Sequence, residues 1–141
     1  MEFLGVRLVP VLLAAVATMI VGFLWYSPLL FAKPWTKLMG YDPNDKAKMD
    51  EVRKGAGPMY GIAFVGSLVS AFVLGKLVAL LGISDLYHGL KLGTAVWAGF
   101  VATVQLTGVL FAKQPVKLFL INTGYQWACY LAMGAILALW K

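Results

Sequence analysis

His88 is the only histidine of the chain and stands beside Asp85 and Tyr87, while the only cysteine, Cys129, lies far along the sequence. One imidazole and one thiol so placed match none of the recurring zinc or haem ligand spacings, so no metal and no cofactor is expected. Ser27 precedes Pro28 with no histidine near it in the sequence, which leaves a nucleophilic triad unsupported. No glycine-rich loop follows a strand, and no strand is expected at all. The long apolar stretches contain no Asp or Glu, so the charge-alternating group on which proton- and ion-coupled carriers depend is missing. These absences point away from an enzyme.

The polar residues that remain are neutral. Gln105 falls near the middle of one apolar stretch, and Asn122 and Gln126 stand one helical turn apart in another, with Tyr125 between them. Such groups bond across a helix bundle and are worth about 0.6 kcal/mol each on average, enough to fix a register without a ligand. Trp25, Tyr26 and Trp35 lie where an apolar stretch gives way to lysines. They read either as an interfacial aromatic belt or, together with Asn122 and Tyr125, as the lining of a pocket opening to the cytoplasm. An amide buried at that depth needs a partner such as the Tyr26 hydroxyl or the Trp25 indole N–H.

The elements that must hold these residues are four stretches without a charge: 8–32, 55–75, 92–112 and 118–140. Each exceeds the roughly 20 residues that cross a hydrocarbon core about 30 Å thick. With 61% hydrophobic residues, 13% charged residues and a mean hydropathy of +0.81, the chain reads as all-α. It is a single polytopic membrane domain of four transmembrane helices over about 8–31, 57–81, 90–112 and 116–140, joined after the first by a loop over 32–56. The formal charge of +6 does not indicate nucleic acid, because the cations gather at the ends of the apolar stretches and in that loop. Eight of the twelve, Lys33, Lys37, Lys46, Lys48, Arg53, Lys54, Lys113 and Lys117, fall on one side. The positive-inside bias then places the long loop in the cytoplasm and both termini outside, in an inner membrane.

Within the loop, residues 34–40 suit a short segment at the headgroups. Asp42 and Pro43 then read as the start of a short cytoplasmic helix that stops at Gly55. The stretch from Leu30 to Leu38 recurs with one insertion from Leu110 to Leu118, which suggests two helix pairs related by a parallel 2+2 repeat. Small residues recur every fourth position at Ala63, Ser67, Ala71 and Gly75, and again at Ala95, Gly99, Thr103 and Thr107. Close helix approach in lipid depends on such faces. The first of them predicts a homo-oligomer, a dimer or trimer, or a site for another membrane protein.

The run Gly22-Phe23-Leu24-Trp25-Tyr26-Ser27-Pro28-Leu29-Leu30-Phe31 with Lys33-Pro34-Trp35, answered by Asn122-Thr123-Gly124-Tyr125 and Met133-Gly134-Ala135-Ile136-Leu137, resembles a family of small bacterial membrane proteins classed as a domain of unknown function. The resemblance covers nearly the whole chain and implies four helices and no activity. Two functions fit. A structural or accessory membrane protein that self-associates leads, since no membrane-embedded charge is present; a small uncoupled transporter or channel subunit for a small solute is the alternative.

Overall fold

Leucine, valine and alanine dominate the first apolar stretch, and its one early breaker, Pro10, falls in the first turn, where a missing N–H costs no helical bond. In the computed structural model, which describes residues 2–3, 5–26, 30, 32–40 and 44–140, this stretch forms α1 (Leu8–Trp25). It is preceded by β1 (Glu2–Phe3) and β2 (Val6–Arg7). It is followed by α2 (Ala32–Leu38), α3 (Lys46–Leu81), α4 (Leu86–Val96), a π-helical passage over Trp97–Ala102, α5 (Thr103–Phe111) and α6 (Val116–Leu139).

The chain is mostly helical, and three of its helical stretches, Leu8–Trp25, Gly57–Leu81 and Leu86–Phe111, are long and apolar enough to cross a membrane. α6 has 24 residues, about 36 Å at 1.5 Å per residue. Its amides and tyrosines make it less apolar than the others.

Four boundaries differ from the sequence reading. A strand pair exists where none was expected: Phe3 pairs with Val6 and Glu2 with Arg7 in antiparallel register. Gly5, at φ 79°, takes the left-handed conformation that the turn requires. The reward for this hairpin is the burial of Val6, whose Cγ1 lies 3.1 Å from where a Cβ on Gly75 would stand.

The second difference is that α3 runs unbroken for 36 residues through Gly55 and Pro58, so the short loop helix and the second apolar helix are one. Its cap is Asp45, whose side chain accepts the Lys48 N–H at 3.1 Å, rather than Asp42, which lies outside the described residues with Pro43. A glycine costs a helix about 1 kcal/mol and a proline about 3, and every further residue on either side adds a bond to an existing helix without a new nucleus.

Third, α1 stops at Trp25, six residues short of 31, with the Tyr26 N–H closing on Gly22 O at 3.0 Å. Residues 27–29 and 31 lie outside the described residues. Fourth, α4 starts at Leu86 rather than 90 because Asp85 caps it, accepting the His88 N–H at 3.0 Å. His88 therefore belongs to a helix and not to a loop.

Consecutive long helices run antiparallel, which gives the bundle a Val6 end and a Tyr26 end. The Val6 end holds the buried core, although a space of about 240 Å3 opens there beside Val6, Pro10, Val78 and Leu137. Val6, Val11, Ala14, Ala71, Leu74, Val78, Met133 and Leu137 form one buried cluster there from β2, α1, α3 and α6, and α4 joins it through a backbone-on-backbone crossing. A Cβ on Gly89 would stand 2.7 Å from Gly134 O and 2.6 Å from Ala138 Cβ. One on Gly93 would meet Tyr130 O, and one on Gly134 would meet Gly89 O. Toward the Tyr26 end the bundle loosens: residues 57–63 of α3 are all exposed, and no residue of α5 is fully buried.

Of the repeated segment, the second copy turns the chain from α5 straight into α6 through Lys113, at φ 55°. The first, as far as it is described, leads into α2 and only then to α3.

Candidate functional site

Where the bundle loosens, α1 remains clamped to α6 by aromatic rings. The Trp25 indole donates to Ile121 O at 3.0 Å, a carbonyl already inside a helix, and the Tyr26 hydroxyl donates to Asn122 Oδ1 at 2.7 Å. The Tyr26 ring meets Trp35 of α2 edge-on at 5.8 Å and Tyr125 at 5.3 Å. Edge-to-face pairs at such distances add about 0.5–1.5 kcal/mol each beyond area burial. Tyr125 reaches Thr18 O at 3.3 Å, and Gly22 and Gly124 make room for the rings of Tyr125 and Trp25 respectively. The structure thus brings Trp25, Tyr26, Trp35, Asn122 and Tyr125 into one cluster, with Tyr26 at its centre.

Two spaces open beside this clamp. The first is a cleft of about 290 Å3 between α1, α3 and α6, lined by Thr18, Ser67, Ser70, Tyr125, Gln126 and Cys129 among others. The Thr18 hydroxyl donates to Ser67 Oγ at 2.9 Å across its floor, and Ala63 and Gly66 on its rim are exposed. Among the described residues its polar lining is hydroxyl, amide and thiol, with no carboxylate and no ammonium, and Ala63, Gly66 and Met133 supply the apolar remainder. The second, about 270 Å3, lies between α5, the turn after it and α6, and includes Gln105, Thr107, Gln114 and Asn122 in its wall.

Gln105 and Gln126, both read from the sequence as intramembrane polar residues, therefore line different spaces. Among the described residues, Gln105 Oε1 and Thr123 Oγ1 are buried without a hydrogen-bond partner.

The four-residue stripe on α3 divides. Ala71 and Gly75 are buried within the chain, Ser67 is half-buried in the cleft and Ala63 is exposed. Its lower half is thus occupied by α1, β2 and α6. On the third helix the close packing uses Gly89 and Gly93, while Ala95, Gly99, Thr103 and Thr107 are exposed. Sequence reasoning passed over Gly89, Gly93 and their partner Gly134, although the Gly-x-x-x-Gly spacing signals a close crossing. It also passed over Trp97, which donates to Thr123 O at 2.8 Å and stacks on Trp127 at 5.5 Å. The π-helical passage widens the helix at Trp97 and sets its register for this contact.

At the other end, His88 pairs with Asp85 through Nδ1 at 2.7 Å. The Asp85 carboxyl is held below its ordinary value, first by the His88 backbone N–H and then by the imidazole. Among the described residues no three His, Cys, Asp or Glu side chains gather as a metal site would need.

A family described as Protein of unknown function (DUF1761) matches residues 9–138. The chain belongs to this family. No curated protein and no solved structure matches it significantly. The match takes in both walls of the cleft, the aromatic clamp and the Gly89–Gly134 crossing, so all of them lie within the family's domain.

Proposed function

We propose that this DUF1761 protein is a non-catalytic integral membrane protein of a bacterial inner membrane that binds a small uncharged molecule in the cleft between α1, α3 and α6. α6 is its fourth crossing: it is long enough to span, and packing against α1, α3 and α4 shields the amides and hydroxyls that lower its hydropathy. The observation that carries the reading is the place and chemistry of the cleft. Thr18, Ser67 and Ser70 lie near the middle of their helices, the depth at which small carriers hold their cargo. The lining offers neutral donors and acceptors only.

A charged ligand would be desolvated there without a counter-charge, whereas a molecule with hydroxyl or carbonyl groups finds partners. Exposed Gly66 and Ala63 open the cleft on the flank that faces lipid, so the ligand enters from the bilayer. With no ionisable carboxylate in its wall, binding is uncoupled from ion gradients.

Native mass spectrometry of the protein released from nanodiscs tests this. Gly66→Leu fills the cleft from its rim, since no atom lies within 4 Å of where its Cβ would stand. A neutral adduct of fixed mass on the wild type, lost from a Gly66→Leu protein of unchanged melting midpoint, is the expected result. A wild type carrying bulk lipid alone, or an adduct that Gly66→Leu retains, overturns it.

The second reading, a self-associating accessory protein, is favoured by the Ala95, Gly99, Thr103 and Thr107 stripe, which lies exposed among the described residues. A drop in subunit number on Gly99→Leu supports that reading.

A further inference from the structure

The space between α5 and α6 shares no lining residue with the cleft, and its chemistry is narrower. Among the described residues three carboxamides, Gln105, Gln114 and Asn122, line it with Thr107, Val104, Gly108 and Phe119, and no charged group does. Their hydrogen bonds are only partly used. Asn122 Oδ1 accepts the Tyr26 hydroxyl, which fixes the amide's orientation and leaves its N–H2 to donate elsewhere. Thr107 Oγ1 donates to Val104 O at 2.6 Å, which leaves its lone pairs to accept. Gln114 is held over Gly108, where its backbone N–H reaches Gly108 O at 3.3 Å and its Oε1 lies 3.0 Å from where a Cβ would stand.

Gln105 Oε1, buried, receives nothing. A buried polar atom left unpaired costs about 1–3 kcal/mol, and native structures rarely leave one without a reason. A single water has a share of roughly 30 Å3 in the liquid, so the cavity of about 270 Å3 has space for a larger guest.

We infer that this cavity is a binding site for a small neutral carboxamide, lactam or urea-type group, independent of the cleft. The class follows from the wall. A ligand here accepts from Asn122 N–H2 and, once the Gln105 amide turns its buried oxygen to the space, donates to Gln105 Oε1, with no net charge to desolvate. The two ends of the Gln105 amide are exchanged by a half-turn of its side chain. An amide ligand, which donates and accepts through separate atoms, pairs with either orientation, whereas an ether or ketone has no donor to give and an alcohol donates and accepts through a single atom. Selectivity against a donor-less analogue is therefore large, because the protein's own buried groups bear the loss.

The test uses the full chain in nanodiscs with 2-pyrrolidinone and its shape-matched ketone, cyclopentanone, as probes, and saturation-transfer NMR as the readout. Saturable binding of the lactam, at least tenfold tighter than the ketone, is expected. Gln105→Leu should abolish that preference while its melting midpoint without ligand stays level or rises, since an unpaired buried amide has been removed. Gln114→Leu should weaken the preference without touching the Tyr26–Asn122 bond, and Gly66→Leu should retain it, which separates this site from the cleft. Equal or non-saturable signals from both probes on the wild type show a cavity that holds only water and overturn the inference, as does a preference that survives Gln105→Leu.

Discussion

A single hydroxyl illustrates how much this fold asks of its neutral polar groups. Tyr26 O–H ties the carboxamide of Asn122 to the end of α1, and the same ring touches both Trp35 and Tyr125. Tyr26→Phe keeps both ring contacts and removes only the bond, so it isolates the hydroxyl. Interhelical hydrogen bonds of this kind average about 0.6 kcal/mol and reach about 1.7. Asn122 would be left with an idle carbonyl oxygen, so the loss should fall toward the upper figure. A double-mutant cycle of Tyr26→Phe and Asn122→Ala, read by detergent unfolding, should give a coupling in that range, and a coupling near zero would show that the rings alone hold the clamp. This neighbourhood was legible in the sequence because Tyr26 and Asn122 each stand a few residues from the end of an apolar stretch, on what antiparallel crossings make the same end. The orphan state of Gln105 was not legible, since hydrogen-bond satisfaction depends on a partner helix that spacing alone does not identify.

Among the elements, the third apolar helix shows why small-residue patterns mislead when taken singly. Two glycine-bearing faces run along it, and the longer one, from Ala95 to Thr107, is the more regular. Yet α4 meets α6 through Gly89 and Gly93, near the Val6 end, where Gly134 answers them with its own missing side chain. The choice is fixed by both surfaces, and a one-helix pattern carries half of that information. The same limit explains the hairpin, since Gly5 and Val6 become a turn and a plug only because Gly75 leaves a space for Val6. It explains α3 as well, where Gly55 was read as a stop on propensity alone. A matched pair of substitutions tests the crossing. Gly93→Ala drives a methyl into Tyr130 O, a backbone atom with no rotamer to yield, and should cost about 1–3 kcal/mol as overpacking does. Gly99→Ala has open space and should leave the unfolding midpoint unchanged. Equal effects at the two positions would place the α4–α6 contact elsewhere.

For the whole molecule, the asymmetry between the ends is the organising fact. The Val6 end carries the small-residue crossing and the buried cluster; the Tyr26 end is splayed, with α3 and α5 standing off α6 on either side of the aromatic clamp. The cleft starts at mid-depth, where Met133 of the buried cluster forms part of its wall, and the carboxamide-lined space lies within the splay itself. Their access depends on which end faces the cytoplasm, and the charge distribution predicts that the Tyr26 end does, because eight of twelve cations belong to it. The acidic residues of α3 do not weaken the argument, since Asp and Glu contribute little to the orientation rule. Cysteine labelling in spheroplasts decides the matter with little engineering, because the native Cys129 is only 2% exposed and contributes almost no background. Cysteine introduced at Tyr87, whose side chain is 67% exposed beside the α4 cap, should react with an impermeant maleimide from outside. Cysteine at Lys48, on the exposed first turn of α3, should react only after permeabilisation. The reverse pattern would turn the molecule over, so that the carboxamide cavity would sample the periplasmic side and draw its ligand from a different pool of solutes.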